Sequence, residues 1–240
     1  MSQLPEAVLF DCDGTIADTE SISAACWAEA LAARGYRMTE ADARAVLGHP
    51  FARSFAHYAD KVDLGDPARF RQELRARFGD RIARELVLHD DAVATLRALA
   101  RYGVPVAVVS SSSRAHVRRI LEHGDVLEQV RLIVGADDVA EHKPSPVPYR
   151  SAAQQLGVDP AGCTVVEDTA TGVAAGLAAG CFVVGVERAH NDVDALRAAD
   201  RIVTAVTVAA VVPERGGRHD AGRERAARRG RWSGWAGRLD

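Results

Sequence analysis

An α/β fold, with a parallel sheet and a helical insertion, is predicted by three features of this 240-residue sequence. Short β-branched runs alternate with segments of helical periodicity, a pattern typical of βαβ units. A glycine follows each of these helical segments, where the left-handed conformation common at helix ends costs it little. The interval between the first two strands is some seventy residues long and has no strand pattern, although a parallel crossover needs only about a dozen residues.

The strands are predicted to be short and apolar, because helices cover both faces of a parallel sheet. We place them at Ala7–Phe10, 104–109, Leu132–Val134, 164–166 and Phe182–Val186, with a candidate sixth at Arg201–Val203. Helices are predicted between them at 91–102, Arg114–His123, 146–156 and 171–179. The long interval carries helical patterns at 23–34, 40–47, Phe51–Ala59 and 67–84. We therefore expect an all-helical cap domain at 18–88, over the carboxyl edge of the sheet, and a core domain made of 1–17 and 89–212.

Composition excludes several classes of protein. The formal net charge of −3 is too small to indicate a polyanionic partner. The four cysteines are scattered without CxxC spacing, so we expect reduced thiols in a cytoplasmic protein. The first residues lack a signal-peptide pattern, and the longest apolar run, 202–212, is too short to span a bilayer of ~30 Å. No membrane partner is expected, and the oligomeric state is left open.

The segment 213–240 differs from the rest of the chain. It contains eight arginines against four acidic residues, so it carries a charge of +4. We interpret it as a solvated, disordered tail. A basic arm for nucleic acid or an acidic partner is the alternative.

The clearest candidate site follows the first strand, where the chain reads Asp11-Cys12-Asp13-Gly14-Thr15. Ligands of open α/β sheets bind at the carboxyl ends of strands, and two carboxylates there could hold a hard cation such as Mg²⁺. A calcium loop of the EF-hand type is excluded, because its sixth and twelfth positions would be Ile16 and Ile22. An Asp-rich turn stays open as an alternative.

Polar residues also follow three later strands. Serines 110–113 precede a helix, where they suit a phosphate or act as ordinary helix caps. Lys143 is one of only two lysines in a chain with 28 arginines, which hints at a need for a compact ammonium. Glu167 and Asp168 could complete a metal site or cap a helix. All four segments should meet at one edge of the sheet.

These four segments, in this order, resemble the haloacid dehalogenase superfamily, in its phosphatase branch with a helical cap, which is similar to β-phosphoglucomutase and phosphoglycolate phosphatase. The resemblance covers about residues 6–204. It implies a Rossmann-like parallel sheet core with an inserted helical cap. It also implies a Mg²⁺-dependent phosphatase that hydrolyses a small phosphorylated metabolite, a sugar phosphate or phosphoglycolate-like compound, through an aspartyl-phosphate.

The resemblance assigns a role to each motif residue. Asp11 matches the nucleophile, and Asp13 matches the acid and base. Lys143 matches the cation that steadies the nucleophile and the phosphoryl oxygens. Phosphate binding is assigned to Thr15, Ser110, Ser111 and Lys143, and Mg²⁺ binding to Asp11, Asp13 through its backbone carbonyl, Glu167 and Asp168.

Differences between this sequence and the motifs of its relatives favour some activities of the superfamily over others. True dehalogenases of the superfamily lack the second aspartate, so Asp13 argues against carbon–halogen cleavage. Phosphonate-cleaving members need a lysine early in the cap, where this chain has only Lys61, further along. The sugar-phosphate mutases are the runner-up, since Trp27 matches them. Their cap histidine aligns with Ser23, however, and their cap arginine falls near Phe51.

Two further interpretations stay open. Arg53 could take over the role of the missing mutase arginine. The fold could instead serve as a non-catalytic phosphometabolite-binding module, although every catalytic position is filled. A nucleic acid partner is disfavoured, because the basic residues lie outside the catalytic segments and lack interleaved aromatics. Substrate specificity is expected to reside in the cap, at Glu20, Ser23, Trp27, His49 and Arg53.

Overall fold

The computed structural model of the protein describes residues 4–46, 51–189 and 191–213. His49 and residues 214–240, which include all the arginines of the predicted tail, lie outside the described residues. The predictions made for them stay predictions.

The predicted α/β fold is confirmed by a six-stranded sheet in which every neighbouring pair is parallel. The strand order is β3-β2-β1-β4-β5-β6, which places β1 at the centre, between β2 and β4. The strands are β1 (Ala7–Phe10), β2 (Val106–Val109), β3 (Leu132–Val134), β4 (Cys163–Glu167), β5 (Phe182–Val186) and β6 (Arg201–Val203). The candidate sixth strand is therefore present.

The second strand begins two residues later than predicted, for a reason in its backbone. The amide of Val104 donates to the carbonyl of Leu99, so Val104 still belongs to the turn that ends the preceding helix. Pro105 follows, and a proline has no N–H to donate to the sheet. Pro105 therefore takes part in the pairing only through its carbonyl, which accepts the amide hydrogen of Val8 at 3.0 Å, and β2 begins at Val106.

Helices α1–α4 follow β1 and precede β2, as predicted for the cap, and five more accompany the later strands in the described part of the chain. They are α1 (Thr19–Ala32), α2 (Glu40–Val46), α3 (Phe51–Ala59), α4 (Pro67–Glu85), α5 (Asp90–Arg101), α6 (Arg114–His123), α7 (Val147–Leu156), α8 (Ala170–Ala179) and α9 (Val208–Val211). Helix α1 begins four residues before the predicted start, because Asp18 caps its N-terminus. The carboxylate of Asp18 accepts the amide hydrogen of Ser21 at 3.1 Å.

Side chains of β1 enter two apolar layers, one on each face of the sheet. Val8 and Phe10 belong to the layer that continues into the cap helices, whereas Ala7 and Leu9 pack with Tyr149 and other residues of α7 and α8. The alternation follows from the two-residue repeat of a strand. Because both layers are apolar, β1 reads as a continuous hydrophobic run that ends at Asp11.

The cap helices have an aromatic centre of their own. The ring of Trp27 in α1 lies 5.9 Å from Phe51, 5.2 Å from Tyr58 and 5.3 Å from Phe70, between ring centroids. The same apolar cluster continues to Phe10 in the central strand. The division into a core at 1–17 and 89–212 and a cap at 18–88 stays a prediction.

A buried carboxylate, Asp42, joins α2 to its surroundings in the cap. It accepts hydrogen bonds from the ammonium of Lys61, the hydroxyl and amide of Thr39 at 2.7 and 3.1 Å, and the hydroxyl of Tyr36 at 2.8 Å. These bonds, that of Lys61 foremost, hold the pKa of Asp42 well below its ordinary value.

We expect Asp42→Asn to lower the free energy of unfolding by about 2 kcal/mol at pH 7, because hydrogen bonds to the charged group are lost. A depressed pKa in the folded state stabilises the protein above the pKa of the unfolded chain, ~3.9, and this stabilisation is lost as the pH falls. Urea unfolding of the wild type and of Asp42→Asn should therefore show a difference in the free energy of unfolding that becomes smaller below pH ~4. A difference that does not change with pH would contradict the prediction. Asp60→Asn, on an exposed site at the end of α3, is the matched control.

Candidate active site

The predicted site residues meet at the carboxyl end of the three central strands. Asp11 directly follows β1, Ser110 directly follows β2, and Glu167 is the last residue of β4. Since β1 lies between β2 and β4 and all three are parallel, their ends lie side by side. Asp11, Ser110 and Glu167 are all buried there.

Lys143 connects these strand ends. Its ammonium donates to Asp11 Oδ1 at 2.5 Å, to Glu167 Oε1 at 2.7 Å and to the carbonyl of Val109 at 2.8 Å. Burial alone would lower the pKa of Lys143, but the carboxylates of Asp11 and Glu167 outweigh burial and hold it well above its ordinary value. The side chain is therefore a buried, fully hydrogen-bonded cation.

Asp11 and Glu167 belong to a cluster of three buried carboxylates. Oxygens of Asp11, Glu167 and Asp168 lie within 4.8 Å of one another. Burial raises the pKa of Asp11, and the negative charges of Glu167 and Asp168 add to this rise, which the attraction of Lys143 only partly offsets. One ammonium leaves a cluster of three carboxylates short of positive charge. The donor set fits a hard divalent cation, which prefers carboxylate oxygens.

Thr15 contacts one carboxylate of this cluster. Its buried hydroxyl donates to Asp168 Oδ1 at 2.7 Å. The guanidinium of Arg188 donates to the backbone carbonyl of Thr15 at 3.0 Å, and the side-chain amide of Asn191 donates to the backbone carbonyl of Asp168 at 2.9 Å. Arg188 and Asn191 were not among the predicted residues, because they lie after β5, far from every motif in the sequence.

Glu167 is fixed by neighbours that the sequence analysis also missed. The hydroxyl of Tyr149 donates to its Oε1 at 2.9 Å, and that of Thr169 to its Oε2 at 2.8 Å. A Cβ at Gly172 would lie only 1.6 Å from Oε1. Gly172 lies in the predicted helix 171–179, and this carboxylate leaves no room for a side chain at that position.

Asp13 faces a different set of partners. Its Oδ2 accepts from the hydroxyls of Ser112 at 2.8 Å and Ser110 at 3.2 Å, and its Oδ1 lies 3.1 Å from Nε2 of His116. Burial raises the pKa of Asp13, but the bonds from His116 and Ser112 outweigh burial and leave it below its ordinary value. Ser112, and not the exposed Ser111, is the serine that joins Ser110 at Asp13.

A cavity of about 1010 Å³ opens beside Asp13, between α6 and the cap helices. Ser23 and Trp27 line it as expected, together with Ser111, Ser112 and His116. Its basic lining comes from residues not predicted, namely Arg71, Arg75 and Arg119. Of the other predicted specificity residues, Glu20 is half-buried in the first turn of α1 and Arg53 is exposed on α3, and neither lines this cavity.

Comparisons with known proteins agree with this geometry. Residues 8–186 match the model of the haloacid dehalogenase-like hydrolase family. The bifunctional riboflavin kinase/FMN phosphatase of Arabidopsis thaliana is 30% identical over 210 residues, which are 86% of this chain and 55% of that protein. This chain therefore spans about half the length of that relative. The fructose-1-phosphate phosphatase YqaB of Escherichia coli is 32% identical over 75% of this chain and 95% of its own length.

A solved structure shares the same fold. A HAD family hydrolase from Deinococcus radiodurans, with bound phosphate and sodium, is 34% identical, with a TM-score of 0.72. The match covers 86% of this chain and 93% of that one. Within 4–46, 51–189 and 191–213, no helix has the length and apolar character needed to cross a membrane.

Proposed function

Since the chain belongs to the haloacid dehalogenase-like hydrolase family, we propose that it hydrolyses a small phosphomonoester, of the sugar phosphate or phosphoglycolate type, through an aspartyl-phosphate on Asp11 with Mg²⁺ bound. Family membership and relatives that are phosphatases by name make it a phosphoric monoester hydrolase. The observation that carries the finer proposal is the contact of Lys143 with both Asp11 and Glu167.

This contact prepares Asp11 for attack on phosphorus. The ammonium of Lys143 holds one carboxylate oxygen at 2.5 Å and thereby orients the side chain. Attack on phosphorus forms the aspartyl-phosphate and breaks the bond to the leaving oxygen. The ammonium is also in place to stabilise negative charge on the phosphoryl oxygens. Asp11, Glu167 and Asp168, with the backbone carbonyl of Asp13, would hold a divalent cation, which would add to the neutralisation of that charge.

Asp13 serves both displacements as proton donor and acceptor. In the first, Asp13 gives a proton to the leaving oxygen and must therefore be protonated before the transfer, against the preference for the ionised form that His116 and Ser112 impose. In the second, its carboxylate takes a proton from the water that attacks the aspartyl-phosphate, which frees inorganic phosphate and regenerates Asp11. The hydroxyls of Ser110 and Thr15 at the same strand ends are proposed to assist in binding the phosphoryl group.

The leaving group is proposed to occupy the cavity beside Asp13. Its volume of about 1010 Å³ accommodates a metabolite. The lining by Trp27 and by Arg71, Arg75 and Arg119 offers an apolar face and positive charge, which suits a polar, oxygen-rich compound such as a sugar or a hydroxy acid.

We expect phosphate release from at least one member of a panel of sugar phosphates and phosphoglycolate with Mg²⁺, and loss of this release in EDTA. A Mg²⁺-dependent rise in melting temperature should accompany it, because binding to the folded state stabilises that state. The rise should disappear in Asp168→Asn, which removes one carboxylate of the cluster. Phosphate release that persists in EDTA would contradict the proposed metal dependence. Absence of phosphate release from every member of the panel would contradict the proposed phosphatase activity.

A further inference from the structure

We propose that His116 is a positioning residue that fixes the carboxyl group of Asp13 for proton transfer to the leaving oxygen, an inference that rests on the phosphatase function proposed above. His116 lies six residues beyond Ser110, in the first turn of α6, outside the segments that carry the motifs. Nothing in the sequence pattern singles it out.

The carboxyl group of Asp13 is held at both oxygens. His116 contacts Oδ1 at 3.1 Å, and Ser112 and Ser110 donate to Oδ2 at 2.8 and 3.2 Å. Contacts on both oxygens, from different residues, oppose rotation of the carboxyl about its bond to Cβ. Thr19, in the first turn of α1, also makes a side-chain hydrogen bond to this carboxyl. His116 supplies the imidazole contact to Oδ1, and its removal should therefore loosen the orientation of the group.

The imidazole is itself held in place. Ser113 caps α6 by accepting the amide hydrogen of His116 at 3.3 Å. The ring packs on Phe78 of α4, with 5.8 Å between centroids and 32° between planes. The His116 side chain is only 22% exposed and lines the cavity proposed for the leaving group. It therefore lies between a cap residue and the proton donor.

Histidine suits this position because the role of Asp13 alternates. A ring nitrogen can donate to an ionised carboxylate or, in the other tautomer, accept from a protonated carboxyl. The contact can thus persist when Asp13 acts as an acid and when it acts as a base. A lysine or an arginine could only donate.

The test compares two substrates that differ in their need for an acid. The alkoxide released from an alkyl phosphate is a poor leaving group and needs a proton, whereas 4-nitrophenyl phosphate releases 4-nitrophenolate, a stabilised anion. We expect His116→Phe, which keeps a ring against Phe78, to lower kcat/KM at least about tenfold for the alkyl ester and less than about threefold for the aryl ester, since misplaced catalytic groups lose much of their effect. kcat/KM reports steps up to departure of the leaving group, so the second displacement does not enter it.

Further variants complete the test. His116→Gln, which retains an N–H donor of similar reach, should recover most of the alkyl activity. Arg118→Gln, on the exposed face of the same helix and paired there with Glu122, should match the wild type for both esters. His116→Asn, whose side chain is too short to reach Asp13, replaces the Phe variant if that protein does not fold. Thermal unfolding is measured for each.

Equal losses for both esters would overturn the inference, because they would mean a structural or phosphate-binding role. Unchanged activity towards both would overturn it as well. Failure of the phosphatase proposal is recognised separately, since the wild type itself would then release no phosphate from either ester.

Discussion

Replacement of Asp11 by asparagine is expected to lower kcat/KM for the preferred phosphomonoester by at least ~10⁴-fold, comparable to loss of the nucleophile in other covalent enzymes. The amide has the shape of the carboxylate but is a poor nucleophile. Phosphate release measured with Mg²⁺ present should therefore fall close to the background. An activity within tenfold of the wild type would contradict an aspartyl-phosphate on Asp11.

The same substitution should not destabilise the metal-free protein. Burial and the neighbouring carboxylates raise the pKa of Asp11, which means that the folded state disfavours its ionised form relative to the unfolded chain. A neutral asparagine removes this repulsion, although it also gives up attraction to Lys143. We expect the melting temperature in EDTA to equal or exceed that of the wild type. A large fall would indicate that loss of activity reflects loss of structure.

The candidate active site could be predicted at this edge of the sheet because its residues follow or end strands. Asp11, Ser110 and Glu167 each end a β-branched run, and parallel strands bring their carboxyl ends to one edge whatever the detailed packing. Lys143 lies in a loop, and its place beside Asp11 was inferred from the resemblance to a family. Its contacts with two carboxylates and a carbonyl follow from the fold.

Other parts of the site depend on packing that no local pattern contains. His116 reaches Asp13 because α6 begins directly after serines 110–113, so that its first turn lies close to the residues that follow β1. Tyr149 reaches Glu167 from α7 across the edge of the sheet. Arg71 and Arg75 of the cavity's basic lining lie in α4, whose register against the core is a property of the helix packing. In a chain with 28 arginines, composition could not distinguish them from solvated ones.

Lys143→Met is expected to lower kcat/KM by about 10²–10³-fold, since one preorganised charge at the reacting phosphoryl group is lost. The free energy of unfolding in EDTA should fall by about 3 kcal/mol, because Asp11 and Glu167 lose their buried counter-charge. Phosphate release and urea unfolding measure the two effects. Activity close to the wild type would show that Lys143 only stabilises the fold.

The second lysine of the chain provides the matched control. Lys61 also pairs with a buried carboxylate, Asp42, but does so in the cap, away from Asp11. Lys61→Met should lower stability and leave kcat/KM within about twofold, so it separates loss of a lysine–carboxylate ion pair from loss of catalysis. Lys143→Arg should fail to restore activity, because the three acceptors around Nζ, at 2.5–2.8 Å, surround a compact ammonium and leave a planar guanidinium no equivalent place. Full activity of the arginine variant would mean that only the positive charge, and not its geometry, is required beside Asp11.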